Sequence, residues 1–136
     1  MLNGLTSTLD FHGQALTLRS ERQRLIASNI ANADTPGYVA RDIDFAKALT
    51  AATGSQASRG LAASQPGHRG ALGVSANGLT DRDLVYAMPG QTSIDGNSVD
   101  MDRERASFAD NSVKYEATLR FINSSVRTTL SAITGQ

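Results

Sequence analysis

The stretch ASNIANADTPGY, residues 27–38, marks the point at which a long helical pattern stops. Thr35 precedes a proline, which disfavours helical geometry, and Pro36 has no amide hydrogen to continue the helix ladder. Gly37 adopts a positive φ without steric cost, so the four residues that end with Tyr38 suit a type II turn. The stretch therefore fixes the C-terminal end of one helix and starts an extended segment.

The segment before this turn predicts an amphipathic helix over residues 5–33. Its apolar residues recur at helical spacing and no proline interrupts them. The wide apolar face is typical of an ordinary core helix and also of a helix packed among several others, and periodicity does not separate the two. The residues that we expect to pack this helix are Leu18, Leu25, Ile26 and Ile30.

The segment after the turn, residues 34–52, begins as an extended piece. Apolar and polar residues alternate from Val39 to Phe45, which is the pattern of a strand. Asp44 is a candidate N-cap for a short helix over residues 45–52, because its carboxylate can accept from the amides of the first helical turn.

The middle of the chain changes character. Residues 53–80 are rich in Gly, Ala, Ser and Gln and have few large apolar side chains, so we predict a flexible loop. Residues 81–99 predict a small β element, with short strands at 84–86 and 93–94 and a turn at Asp95–Gly96. The sequence does not give the pairing of these strands.

A second long helix is predicted over residues 100–133, with Asp100 or Asp102 as its cap. Two lines of apolar residues run along it at seven-residue spacing, and together they predict a coiled-coil seam. The first line is Phe108, Tyr115 and Ile122, and the second is Leu119, Val126 and Ile133. We expect this helix to pack on the first one through Phe108, Tyr115, Leu119, Ile122 and Val126.

These elements predict one mainly α domain over residues 1–136. Its long N- and C-terminal helices pair as a coiled coil, because neither helix alone can bury its apolar stripe, and a flexible loop and a small β element lie between them. With 40% hydrophobic and 5% aromatic residues and no tryptophan, a large self-contained core is not expected. Apolar surface completed by a partner is the alternative.

Composition excludes several functional classes. The formal net charge is zero, which removes the electrostatic argument for nucleic acid or an anionic membrane surface. The absence of cysteine excludes disulfides, thiol catalysis and cysteine metal sites. The N-terminus has neither a basic region nor an unbroken apolar run, so we expect no cleaved signal peptide and no direct membrane insertion.

No catalytic or metal-binding constellation is visible. The two histidines, His12 and His68, are far apart and lack the spacing of a ligand pair. Pairs of carboxylates, such as Asp42 with Asp44, are explained by caps and turns. The glycine-rich middle lacks phosphate-loop and dinucleotide-binding patterns. We therefore expect no enzymatic activity, no cofactor and no metal.

Two motifs carry a family resemblance. SNIANADTPGY, residues 28–38, resembles the N-terminal motif of the bacterial flagellar rod and hook proteins, in which a helix ends in Asn-x-x-Asn before a Thr-Gly-Tyr or Thr-Pro-Gly-Tyr turn. The continuation VARDIDF, residues 39–45, is most similar to the proximal-rod members. GNSVDMDRE, residues 96–104, is similar to the Gly-Asn-x-Val-Asp-x-x-x-Glu segment that opens their C-terminal helix. The resemblance covers about residues 9–45 and 97–133, and the middle matches nothing.

The resemblance implies a structural subunit of the proximal rod of the bacterial flagellar basal body, the helical drive shaft that transmits torque and surrounds the export channel. Members of the family reach the periplasm through the flagellar type III apparatus without a cleaved signal. The partners that it implies are copies of the chain, other rod proteins, and the junction protein, export gate and membrane ring at the rod base.

The resemblance also singles out the first motif as a site. Asn29 and Asn32 would hydrogen-bond backbone or neighbouring subunits near the helix end, and solvation of both is the alternative. Thr35, Pro36, Gly37 and Tyr38 would set the chain reversal.

From the residues alone, a helical-hairpin adaptor that binds a partner helix competes with the rod subunit. Stoichiometry separates them, because the adaptor forms a small closed complex and the rod subunit a polymer. A small enzyme, the third possibility, would require a site that the sequence does not show.

Overall fold

The computed structural model describes residues 2–54, 84–86 and 94–135, and these residues form a mainly helical fold. The predicted architecture is confirmed: the long terminal helices pack on each other, and a two-stranded sheet and a short helix lie between them in sequence. No helix within the described ranges is both long and apolar enough to cross a membrane. The elements are α1 (Leu2–Ala31), β1 (Arg41–Ile43), α2 (Phe45–Gly54), β2 (Leu84–Tyr86) and α3 (Met101–Thr134).

The helices α1 and α3 run antiparallel. At one end of the pair, Asn29 near the end of α1 donates to Glu104 near the start of α3, with 3.2 Å between Nδ2 and Oε2. Nearer the other end, the rings of His12 and Phe121 stack with their centroids 6.0 Å apart. Positions on the two helices therefore meet in reverse order along the whole pair.

The first helix ends slightly earlier than the predicted position 33, because a turn begins at Asn32. The Asn32 amide shares its hydrogen between the carbonyls of Ser28 and Asn29, and the Asn32 side chain also donates to the Ser28 carbonyl at 2.8 Å. The predicted four-residue turn is confirmed. The Tyr38 amide donates to the Thr35 carbonyl at 3.3 Å, and the chain between them includes a glycine at φ 70°.

The aspartates predicted as caps occupy the starts of their helices. Asp44 Oδ1 accepts from the Lys47 amide at 3.2 Å, and α2 continues two residues past the predicted position 52. Asp100, rather than Asp102, is the N-cap of α3, because its carboxylate accepts from the amides of Asp102 and Arg103. The left-handed Gly135 closes the other end of α3.

The sheet supplies a pairing that the sequence did not give. β1 and β2 are antiparallel, with Asp42 opposite Val85. The second predicted strand, at 93–94, differs: Ser93 lies outside the described residues, and Ile94 lies in a turn. Of the predicted flexible loop, residues 53 and 54 belong to α2, and residues 55–80 lie outside the described ranges.

The apolar core lies over one half of the helix pair. It consists of side chains from α1, β1 and α2, with partly buried residues of α2 and β2 packed around them. Its buried members are Leu18, Leu25, Ile43 and Ala48. We call the other half, residues 4–14 of α1 with residues 119–135 of α3, the open half. Large apolar side chains there are exposed: Leu5, Phe11, Leu119, Phe121, Val126, Leu130 and Ile133.

Candidate functional site: the junction of the two terminal motifs

Asn29 is the centre of the site, since its side chain is only 1% exposed and uses all of its hydrogen-bonding capacity. Its amide group pairs with the backbone of Arg41 as a second strand would: Nδ2 donates to the carbonyl at 2.8 Å, and Oδ1 accepts from the amide at 3.1 Å. The same side chain also donates to Glu104 and accepts from the Tyr38 hydroxyl. Asn29 thus joins α1, β1 and α3.

Asn97 holds the turn that follows the C-terminal end of α1. Its Nδ2 donates to the carbonyls of Asn32, Ala33 and Thr35 at 2.8–2.9 Å, and its Oδ1 accepts from the Val99 amide. All three carbonyls belong to the turn, since α1 ends at Ala31. A side chain more than sixty positions away therefore fixes the turn.

Backbone contacts join the same two segments. The Gly37 amide donates to the Asp95 carbonyl at 2.8 Å, and the Ser98 amide donates to the Tyr38 carbonyl at 3.0 Å. The Ala40 amide donates to the Ser98 hydroxyl at 2.8 Å. We refer to residues 28–41 and 95–104 together as the junction. The two motifs that carry the family resemblance are thus in direct contact.

Gly37 and Gly96 allow the two segments of the junction to approach. Both have positive φ, 70° and 69°, a conformation that side chains with a Cβ disfavour. A Cβ added at residue 96 would lie 3.8 Å from the Gly37 Cα, so the space itself is adequate. Backbone conformation is therefore the stronger requirement for glycine at these positions.

Charged groups flank the junction. Arg22 forms a two-point ion pair with Asp42, with both N–O distances 2.9 Å, which ties α1 to β1. This bond raises the pKa of Arg22. Burial raises the pKa of Glu104, and the hydrogen bond from Asn29 opposes that shift in part. In the sequence, Glu104 lies in the second motif and Asp42 lies in the continuation of the first, but no pattern indicated Arg22.

The remaining motif residues lie at the surface of the junction. Thr35, Pro36 and Gly37 are exposed, and Asn32 and Tyr38 are half-buried. Both asparagines of the first motif make hydrogen bonds to the chain itself, so neither is merely solvated. Whether they also contact neighbouring subunits stays a prediction.

The predicted packing residues divide into two groups. Leu18, Leu25 and Ile26 of α1 are buried, and Ile30 is half-buried. On α3, Tyr115 and Ile122 are half-buried. The exposed fractions of Phe108, Leu119 and Val126 are 41%, 36% and 39%.

The fully covered positions of α3 are polar. Asn111 is 0% exposed and Thr118 is 6% exposed, so the second line of the seam lies three residues from Tyr115 and Ile122 rather than four. The heptad pattern predicted the apolar line, Leu119 and Val126, in that place. From this position Asn111 donates hydrogen bonds to α1.

The chemistry of the junction is that of a structural contact between segments rather than that of a reaction centre. Its polar groups are used in hydrogen bonds between segments. Among the described residues, no cluster of three or more His, Asp or Glu side chains is arranged to hold a metal ion. The arrangement holds the end of α1 and the start of α3 in one register.

Comparison with known proteins agrees with both motifs. A family model described as "Flagella basal body rod protein" matches residues 9–38. The flagellar basal body rod protein FlgB of Proteus mirabilis is 48% identical over 135 residues, which cover 98% of each chain. FlgB of Salmonella typhimurium is 45% identical over 139 residues, 99% of each chain. FlgB of Cereibacter sphaeroides is 38% identical over 99% of this chain and 100% of its own.

The chain belongs to the FlgB family of flagellar basal body rod proteins. It is a structural subunit of the rod, located in the flagellar basal body. The relatives align over nearly their full lengths, so the resemblance extends beyond the two motifs to the middle of the chain, which matched nothing by motif.

In this FlgB-family chain, the carboxylate of Glu104 makes stability depend on pH. Its pKa is raised in the folded state, so its favourable contribution is complete below the ordinary glutamate pKa and is lost as pH rises through the folded value. We expect Glu104→Gln to raise the melting temperature at pH 7, because the neutral amide can still accept from Asn29. The gain should disappear near pH 4, roughly the unfolded pKa of glutamate.

Thermal unfolding followed by circular dichroism at several pH values measures this effect. Glu116→Gln is the matched control, because Glu116 lies on the exposed face of α3 with Arg120. If Glu104→Gln instead melts lower than the parent at pH 7, the ionised carboxylate is required by the junction and the argument is wrong.

Proposed function

We propose that this chain builds the proximal part of the flagellar rod, where it stacks with copies of itself and with other rod proteins into a helical tube. The tube acts as the drive shaft that transmits torque, and it surrounds the export channel. A head-to-tail contact that does not close on itself generates such a helical assembly.

The observation that carries this proposal is the open half of the helix pair. There, the apolar side chains of α1 and α3 stay exposed, while the described parts of α2 and the sheet pack around Leu18 and Leu25 in the other half. Contiguous exposed apolar surface marks sites of protein–protein contact. Neighbouring subunits that cover this surface would supply the burial that one chain lacks.

The junction and the open half would then have separate tasks. The junction holds the end of α1 and the start of α3 in one register through Asn29 and Asn97, so the open half is presented in a fixed direction. The open half contacts the neighbours, with Phe108, Leu119 and Val126 continuing the exposed surface along α3. A subunit that passes torque between neighbours needs both properties.

Several finer statements follow from the family relation and belong to the same proposal. The partners at the rod base would be the junction protein, the export gate and the membrane ring. The chain would reach the periplasm through type III export without a cleaved signal peptide. It would have no catalytic activity and no nucleic-acid partner.

A deletion strain tests the position in the rod. We expect loss of swimming on soft agar, full recovery when the intact gene is supplied, and recovery of this chain by mass spectrometry from purified basal bodies. Basal bodies stripped to the rod base should retain it together with the membrane ring.

Two other outcomes would contradict the proposal. Deleted cells that swim, with basal bodies that lack the chain, would exclude a rod subunit. A small closed complex with a single partner helix would favour the helical-hairpin adaptor instead.

A further inference from the structure

The seam between α1 and α3 buries polar side chains and leaves apolar ones outside. Three lines of residues run along α3 at seven-residue spacing. The central line includes Tyr115 and Ile122. We call the line of Asn111, Thr118 and Ser125 the polar line, and the line of Leu119, Val126 and Ile133 the apolar line. Asn111 and Thr118 are 0% and 6% exposed, whereas Leu119 and Val126 are 36% and 39% exposed.

The hydrophobic effect alone favours the opposite arrangement. Burial of Leu119 and Val126 against α1 would remove more apolar surface from water than burial of Asn111 and Thr118 does. An α-helix has 3.6 residues per turn, so a rotation of α3 by about 50° about its own axis would cover the apolar line and expose the polar line, with the central line still in the seam. Some interaction must therefore hold α3 in the observed orientation.

The hydrogen bonds of Asn111 provide it. Asn111 Nδ2 donates to the Arg19 carbonyl at 2.9 Å and to Gln23 Oε1 at 2.6 Å, both on α1. Gln23 in turn donates to the Ser112 hydroxyl at 2.8 Å. A rotation of α3 would break these bonds and leave buried amide groups without partners, which is costly in a low-dielectric seam. A single buried asparagine is known to fix the geometry of paired helices at some cost in stability.

The structure also shows that burial of Asn111 costs stability. Asn111 Oδ1 is buried, and no donor among residues 2–54, 84–86 and 94–135 reaches it. An acceptor left without a hydrogen bond destabilises the fold. Asn111 therefore does not maximise stability, and its contribution is to the orientation of α3 relative to α1.

We infer that Asn111 sets the rotation of α3 about its own axis and thereby keeps the apolar line facing outward. This is a property of one folded chain and does not depend on the proposed position in the rod. Replacing Asn111 with alanine removes the polar contacts without adding a large apolar side chain to the polar line, so α3 is free to turn the apolar line toward α1.

Cysteine cross-linking of the full-length chain tests this orientation, and the natural chain has no cysteine to interfere. Ala15 of α1 is buried and lies at the level of residues 118 and 119 of α3, as the antiparallel order of the pair requires. One reporter carries Ala15→Cys with Thr118→Cys, and the other carries Ala15→Cys with Leu119→Cys. Since a disulfide needs close Cα atoms and converging Cβ vectors, we expect the first to cross-link about tenfold faster.

In the Asn111→Ala background we expect this ratio to reverse. Gln23→Leu, which removes one acceptor from α1 and leaves α3 unchanged, should shift the ratio in the same direction. Asn123→Ala is the matched control, because Asn123 lies on the exposed side of α3 and its replacement removes the same side chain away from the seam. The control should leave the ratio unchanged.

The inference is overturned by either of two results. The first is failure of the Ala15 and Thr118 pair to cross-link faster than the other pair in the parent chain. The second is an unchanged ratio in both Asn111→Ala and Gln23→Leu. If Asn111→Ala loses its helical circular dichroism, the Gln23→Leu chain alone decides whether the inference holds.

Discussion

The Asn29→Ala chain is expected to lose about 3 kcal/mol of its free energy of unfolding, because several buried polar groups lose their partner at once. The amide and carbonyl of Arg41 would face the space that the side chain filled, and Glu104 would keep a half-buried carboxylate without its donor. The melting temperature should fall by roughly 10 °C for a chain of this size. Urea unfolding followed by circular dichroism measures the free energy directly.

Asn123→Ala is the matched control for this prediction. It removes the same side chain from the exposed side of α3, where the effect should stay within about 0.5 kcal/mol. If Asn29→Ala proved as stable as Asn123→Ala, the two-point pairing with Arg41 would contribute nothing to the junction. A lower slope of unfolding free energy against urea would instead indicate that α1 and β1 separate before the rest unfolds.

Local chemistry made much of the fold predictable. The caps at Asp44 and Asp100 and the turn that ends at Tyr38 depend on side chains within a few residues, so the sequence determines them nearly alone. The helix pair was predictable for a related reason, since two long stripes of apolar residues have few other ways to be covered.

The junction was harder to predict from the sequence, because its contacts join residues far apart in the chain. The resemblance marked Asn29 and its turn as a site, but the pairing of Asn29 with Arg41 needs a bend that brings β1 back along α1. Asn97 lay within the second motif, yet only the fold shows that it holds the turn after α1. The ion pair of Arg22 with Asp42 had no signal at all, because charged residues of both signs are common on exposed faces.

The rotation of α3 was the part that the sequence pattern described incorrectly. A heptad rule selects the most apolar lines and assigns them to the intramolecular seam. In a chain that belongs to an assembly, neighbouring subunits can also cover apolar lines. Asn111 lies buried on the line that α1 covers and donates to the Arg19 carbonyl, a contact that a rule based on apolar periodicity does not count.

Leu119→Asp is expected to abolish swimming while leaving the single chain folded. Leu119 lies on the outer side of α3, 36% exposed, so an aspartate there keeps access to water in the isolated chain. The lower helix propensity of aspartate, about 0.7 kcal/mol, and the loss of the covered part of the leucine side chain should reduce stability without unfolding the chain. In the assembly the same carboxylate would be enclosed by a neighbour, where a buried charge without a partner costs several kcal/mol.

The isolated chain should therefore tolerate the aspartate, whereas the assembled rod should not, and two measurements separate these effects. Circular dichroism should show helical content equal to that of the parent, while soft-agar swimming falls to the level of the deletion strain and purified basal bodies lack the chain. Asn123→Asp places the same charge on the exposed side of α3 and tests whether any new carboxylate on that helix is enough to abolish swimming. If Asn123→Asp swims and Leu119→Asp does not, the apolar line contacts a neighbouring subunit. A motile strain that carries Leu119→Asp would instead show that Leu119 faces water in the rod as well, and the neighbour would have to cover α3 elsewhere.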